Sequence, residues 1–169
     1  DLLRALAEYF ELPPATFAGM MEGGNSILRV LHYPAVAPGA DPAVRAAAHE
    51  DINLITLLCE ATGSGLELLH RDGTWLPVEA LPGQIVVDAG DMLSRVTNEI
   101  VPATTHRVVN PPAGGNRDRY SMPFFVHPYA DCDLTVLDRF TSATRPPRYP
   151  PVTAGRFLEE RLREIGLKK

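Results

Sequence analysis

Hydrophobic positions recur along the chain with two different periods, and the switch between them divides it into elements. Leu2, Leu3, Leu6 and Phe10 fall at helical spacing, so residues 1–10 are expected to form an amphipathic helix. Glu11-Leu12-Pro13-Pro14 stops it, because proline restricts the residue before it and has no N–H to donate. A second short helix is expected from Pro14 to Met21, with proline in its first turn. From Ser26 the period becomes two. Residues 26–33 read as a strand, with Arg29, Leu31 and Tyr33 on one face and Leu28, Val30 and His32 on the other. A loop rich in proline, glycine and alanine fills 34–42, and residues 43–48 predict a helical turn leading into His49. Short β-rich runs follow at 53–60, 66–70, 75–78, 84–88, 105–110 and 119–126. Turn signals separate them, among them Gly63-Ser64-Gly65, Asp72-Gly73, Leu81-Pro82-Gly83 and the polar loop 111–118. Gly90-Asp91 predicts a short helix capped by Asp91, with Met92, Leu93 and Val96 inward. A last helix is expected over 153–167, with Thr153 as cap and Phe157, Leu158, Leu162 and Ile165 as its apolar face.

Many short strands with glycine and proline turns predict a mainly β fold. A double-sheet jelly roll fits the count, with flanking N- and C-terminal helices. A length of 169 residues suits a single domain, with its core over about 26–130. The net charge of −5 offers no basic patch, so nucleic acid is not an expected partner. No run is long and apolar enough to cross a membrane, and no secretory signal is visible. Cys59 and Cys132 form no CxxC pattern and are expected as free thiols, which suits a reducing, cytoplasmic setting.

The candidate chemistry lies in separated groups: His49-Glu50-Asp51, then His106, then Arg119-Tyr120-Ser121. On a strand, side chains at i and i+2 share a face, so His49 and Asp51 would project together while Glu50 faces solvent. Two histidines and one carboxylate form the donor set that holds non-haem Fe(II) and leaves positions open. By the same alternation Arg119 and Ser121 project together, and Phe125 with them into the cavity. A guanidinium fork beside a hydroxyl suits a carboxylate. Each piece alone is common. Metal ligands followed by a carboxylate clamp, in that order, are not.

The stretches HEDINLITLL, GDMLSRVTNE, ATTHRVVNPP and RYSMPFFVHP resemble the C-terminal catalytic region of the 2-oxoglutarate/Fe(II)-dependent dioxygenases, in the isopenicillin N synthase-like subgroup. The resemblance runs from about Ser26 to near the C-terminus. It implies a double-stranded β-helix, with His49, Asp51 and His106 as the iron ligands. Arg119 and Ser121 would bind the distal carboxylate of 2-oxoglutarate, with a further hydroxyl from Tyr33. Phe125 becomes a substrate-side candidate. His32, His70 and His127 lie outside the family pattern and are expected as surface or packing residues. The implied cofactors are Fe(II), 2-oxoglutarate as co-substrate and dioxygen. The implied reaction hydroxylates or otherwise oxidises a small organic substrate, releasing succinate and carbon dioxide. Leu31 departs from the pattern, since many relatives carry asparagine two residues before the tyrosine.

Three other readings use the same residues. An isopenicillin N synthase-like oxidase keeps the triad and an Arg-x-Ser pair without 2-oxoglutarate. A zinc hydrolase uses similar ligands. A non-catalytic jelly-roll module would bind a metal or a small ligand only. The related families usually place helices and strands before this core. The chain is therefore expected to lack an upstream N-terminal region, leaving an apolar face and part of the first helix uncovered.

Overall fold

Two antiparallel sheets enclose a cavity of about 1010 Å³, and residues of both line it. The computed structural model describes residues 1–36, 44–79, 83–110 and 116–167. Helices α1 (Leu2–Tyr9) and α2 (Ala15–Met20) come first. Strands β1 (Ile27–Leu28), β2 (Leu31–Tyr33), β3 (Ala46–His49), β4 (Ile55–Ala61), β5 (Leu66–Leu69), β6 (Trp75–Pro77) and β7 (Val86–Ala89) follow. Then come α3 (Asp91–Val96), β8 (His106–Val108), β9 (Arg119–Val126) and α4 (Ala154–Glu164). One sheet runs β1-β9-β4-β7, with β2 also on β9, and the other runs β3-β8-β5-β6. This is the expected jelly roll with helices at both ends. Among the described residues no helix is long and apolar enough to cross a membrane.

The sheets carry the cavity and the helices carry the core. Leu3, Ala7, Phe17, Leu54, Met92, Leu93, Val96, Leu134 and Phe140 are all buried in one cluster around α3. The space between the sheets is thereby left for something other than side chains. Cys59 is exposed, Cys132 is buried, and both are free thiols. The Asp72-Gly73 turn joins β5 to β6 as expected, with Gly73 at φ 87°.

Three expectations about local structure need correction. The strand expected over 26–33 is broken at Arg29-Val30. Leu28 pairs with Phe124 and Leu31 with Ser121, so Arg29 meets Pro123. Arg29 donates its N–H to the Pro123 carbonyl at 3.0 Å, but proline has none to return, and the ladder lapses. Of the helical turn expected over 43–48, Ala46, Ala47 and Ala48 are in strand β3, Val44 and Arg45 are irregular chain before it, and Ala43 lies outside the described residues. Alanine favours helix locally, but pairing with β8 overrides so weak a preference. The cap of α3 is Gly90, in extended conformation, and not Asp91, whose carboxylate instead takes Arg161 at 3.1 Å. On α1, Leu3 and Ala7 are buried and Leu2 is exposed. Thr153 does precede α4, but without a side-chain cap hydrogen bond. Leu81-Pro82 and parts of the loops 34–42 and 111–118 fall outside the described residues.

Helix α3 is docked by its first turn. Gly90 N donates to Leu54 O at 3.0 Å, Asp91 N to Asp51 O at 2.8 Å and Met92 N to Asn53 O at 3.0 Å. The free N–H groups of a helix start thus satisfy the carbonyls of the turn that follows His49. A Cβ at Gly90 would collide with Asn53 Oδ1 and stand 2.7 Å from Asp51 O. Gly90→Ala is therefore expected to lower unfolding stability by about 1–3 kcal/mol, as overpacking does. Urea denaturation measures this, and a midpoint equal to the parent's would show that the turn yields freely.

Candidate active site

A bulge brings the two histidines together. Ala46 pairs with Val108 and His49 with His106, so β3 spends one residue more than β8 between the two pairs. A bulge of this kind re-aims a side chain. The rings of His49 and His106 end 4.4 Å apart. Asp51 reaches them by a different route from the expected strand alternation. β3 stops at His49, and Asp51 stands on the turn held by α3.

Asp51 is 8% exposed, and each of its oxygens has its own task. Thr56 donates its hydroxyl to Oδ2, and Asn53 Nδ2 donates to Thr56 Oγ1 at 2.8 Å. Oδ1 is left facing His49 Nε2 at 3.8 Å and His106 Nε2 at 4.0 Å. On both histidines Nδ1 is engaged elsewhere: His49 with Ala47 O at 2.7 Å, His106 with Thr104 O at 3.0 Å and Asp88 Oδ2 at 3.1 Å. Each ring therefore turns Nε2 inward. One ligand atom from each of the three lies within 4.8 Å of the others, wider than contact and close enough for one ion to bridge. Burial pushes the His106 pKa down, but Asp88, the Thr104 carbonyl and the charge of Asp51 outweigh it and carry it to about 9. Buried negative charge thus waits for a cation here, and the chemistry of the donor set suits Fe(II).

The residues expected to meet a carboxylate lie on β9. Arg119, Ser121, Pro123 and Phe125 alternate inward and line the cavity. Arg119 is 2% exposed, and its Nε donates to Gly63 O at 3.1 Å. Its Nη1 is buried with no hydrogen-bond partner. A buried guanidinium facing no carboxylate is costly unless a ligand supplies one. Burial accordingly pulls its pKa down. Tyr33 pairs with Arg119 in register, its ring centroid 5.3 Å from the guanidinium carbon. Leu31 stands opposite the buried Ser121. The structure thus brings together His49, Asp51 and His106 as one set, and Arg119, Ser121 and Tyr33 as another, on the walls of one cavity.

Other residues divide. His32 is exposed, bonded to Asp118 at 3.0 Å and stacked on Tyr120, and His70 pairs with Asp72. His127 stays out of the metal set but lines the cavity, where burial lowers its pKa. Glu50 does not point into solvent as expected. It is half-buried, accepts from Thr105 Oγ1 at 2.8 Å, and lies beside Asp91. Burial first, and then the Glu50 carboxyl, raise Asp91 to about 6 against the pull of Arg161.

Sequence reasoning missed Asp88 and Thr56. Asp88 ends the β-rich run 84–88, and an acid among apolar strand residues needs a partner, so a signal existed. Thr56 is an ordinary β-branched strand residue and gave none.

The sequence matches the family model of the 2OG-Fe(II) oxygenase superfamily over residues 24–128, more than half the chain. It is 35% identical over 156 residues to a 2-oxoglutarate-Fe(II) type oxidoreductase of Emericella nidulans, covering 90% of this chain and 44% of that protein. It is 36% identical to 2'-deoxymugineic-acid 2'-dioxygenase of Hordeum vulgare, covering 88% and 42%. The fold superposes on a 2OG-Fe(II) oxygenase family protein from Caulobacter crescentus at TM-score 0.88 and 49% identity, over 97% of this chain and 53% of that one. It also superposes on a full-length Neurospora crassa protein in complex with alpha-KG and thymine at TM-score 0.87 and 31% identity, over 97% and 51%. The chain spans about half the length of the relatives it matches. Within that span the triad, the β9 clamp and the jelly roll stand together, and the chain belongs to the 2OG-Fe(II) oxygenase superfamily.

Proposed function

We propose that the chain is the catalytic core of an oxygenase that uses Fe(II), 2-oxoglutarate and dioxygen to oxidise a small organic molecule. One observation carries the reading: a two-histidine, one-carboxylate set shares a cavity with a buried guanidinium whose Nη1 has no hydrogen-bond partner among the described residues. His49, Asp51 and His106 would hold the iron, and Arg119, Ser121 and Tyr33 the distal carboxylate of 2-oxoglutarate. When bound, the metal and co-substrate supply the oxidising power, with succinate and carbon dioxide as by-products.

The chain's own residues hold and orient. Thr56 keeps one Asp51 oxygen occupied, so the carboxylate offers the other. Asp88 and Thr104 O fix the His106 ring by its far nitrogen, as residues behind metal-bound histidines do. Arg119 provides a planar fork for a carboxylate at the buried end of the clamp. Phe125 forms the wall on the substrate side.

Three outcomes test the assignment. His49→Ala, Asp51→Ala and His106→Ala should each abolish iron-dependent succinate release, whereas His70→Ala should leave it intact. Wild-type turnover in the His106 variant would remove it from the ligand set. Arg119→Lys keeps charge but loses the fork, so the 2-oxoglutarate concentration for half-maximal turnover should rise about tenfold or more. An unchanged requirement with weakened substrate binding would favour the oxidase that does not use 2-oxoglutarate.

The third outcome concerns pH. With its pKa at about 9, His106 carries a proton at neutral pH that a metal must displace. Apparent metal affinity should therefore fall as pH falls, about tenfold per unit below that pKa. Anaerobic titration with Fe(II) should give a Kd about tenfold weaker at pH 7 than at pH 8. Asp88→Asn removes a partner that raises the pKa and should flatten this slope. Equal affinities at the two pH values would show that His106 binds no competing proton.

A further inference from the structure

The charged groups lining the cavity can be matched one by one. Asp51 faces the two histidines, Asp88 bonds His106, Glu50 accepts from Thr105, and Arg161 pairs with Asp91. The proposed function gives the orphaned Arg119 nitrogen to 2-oxoglutarate. Arg29 is left over. Its side chain lines the cavity with Ile27, Leu31 and Tyr33, on the inward face of the first two strands. Among the described residues its guanidinium has no hydrogen bond and no ion pair, and its contact is the Phe125 ring, 5.5 Å from the guanidinium carbon. A cation over a ring at an open site contributes only about 0.5–1 kcal/mol, and the exposed guanidinium keeps its N–H donors in solvent, available to a ligand that enters the cavity.

The surroundings say which way this arginine is turned. Its backbone sits in the break between β1 and β2, anchored to the carbonyl of Pro123. Diagonally across the sheet stands Phe125, the register partner of Ile27, with its ring facing the guanidinium. Arg29 and His127 line the same cavity as His49, Asp51 and His106. Burial lowers the pKa of His127 and the Arg29 charge adds to it, against the pull of Asp51.

We infer that Arg29 anchors a carboxylate on the substrate to be oxidised, with Phe125 packing against the apolar body that carries it. This inference rests on the proposed oxygenase reading and names the substrate class for it: a small organic acid with an apolar part. One guanidinium matches the single charge and planar geometry of a carboxylate. The position is separate from the Arg119 clamp, because Arg29 lies opposite Pro123 whereas Arg119 is paired with Tyr33.

The test uses the whole chain, loaded anaerobically with Fe(II) and 2-oxoglutarate so that nothing turns over. The weak visible absorption that follows 2-oxoglutarate addition is recorded first. Phenylacetate and its neutral isostere phenylacetamide are then titrated, with binding read by calorimetry and by the change in that absorption. Phenylacetate should bind about tenfold more tightly than phenylacetamide, the scale of a hydrogen-bonded charge pair. Arg29→Gln should abolish the preference, and Arg29→Lys should retain part of it. Equal affinities in the parent chain, a preference that survives Arg29→Gln, or binding of neither probe would overturn the inference. If the absorption never develops, the oxygenase reading itself fails, and that result is distinct from a loaded site without acid preference.

Discussion

The structure depends on a contact between one helix start and one turn. Three successive N–H groups, from Gly90, Asp91 and Met92, meet the carbonyls of Leu54, Asp51 and Asn53. Each bond contributes only about 1 kcal/mol net, but losing a partner leaves a buried polar group and costs more. The helix cannot shift to relieve strain, because Met92, Leu93 and Val96 are locked into the core behind it. The turn cannot shift either, because no atom fits between it and Gly90. Asp51 therefore leaves the backbone in one direction, and Thr56 settles which oxygen faces the histidines. The hydrophobic core thus reaches the metal ligands through backbone hydrogen bonds rather than through side-chain packing.

The two sheets divide the charges. The sheet with β3 and β8 carries the histidines, and β9 of the other sheet carries the arginine and serine. Negative charge concentrates at one place on the cavity wall, around Asp51 and Asp88, and positive charge at others, at Arg119 and Arg29. Keeping opposite charges apart on different strands leaves each free for a ligand of the other sign instead of neutralising one another. The outer surface of the histidine sheet is built differently. Arg107 lies over the Trp75 ring at 4.0 Å and pairs with Glu67 at 2.7 Å, which stiffens β5, β6 and β8 behind the metal set.

What could be read from the sequence depended on range. The helices at both ends and the β5–β6 hairpin follow from local periodicity and turn chemistry, and they were legible. The grouping of His49, Asp51 and His106 was legible from residue type and spacing, although Asp51 arrives on a turn and not by alternation, and the shared inward face of Arg119, Ser121 and Phe125 was legible from alternation. Tyr33 was legible only through family resemblance. The split at Arg29 was hidden because its cause, the missing N–H of Pro123, lies far along the chain. The alanines of β3 were misread for a similar reason, since their partner is β8. Glu50 looked solvent-facing because alternation assumed a strand that ends one residue earlier. Asp88 and Thr56 support the ligands from behind, and the spacing of a ligand motif holds no trace of the groups that steady it.

The bulge in β3 makes the strand's length a functional quantity. Between Ala46 and His49 the chain uses one more residue than β8 uses opposite it. A strand presents its side chains with a parity of two, and the bulge changes that parity just before His49. Side-chain exchange among Ala46, Ala47 and Ala48 keeps the count and hence the direction of the imidazole. Removing a single residue reverses the parity, turning His49 outward and an alanine inward, although every chemical group of the site survives. The number of residues in this strand, and not only their kind, therefore sets where the imidazole points.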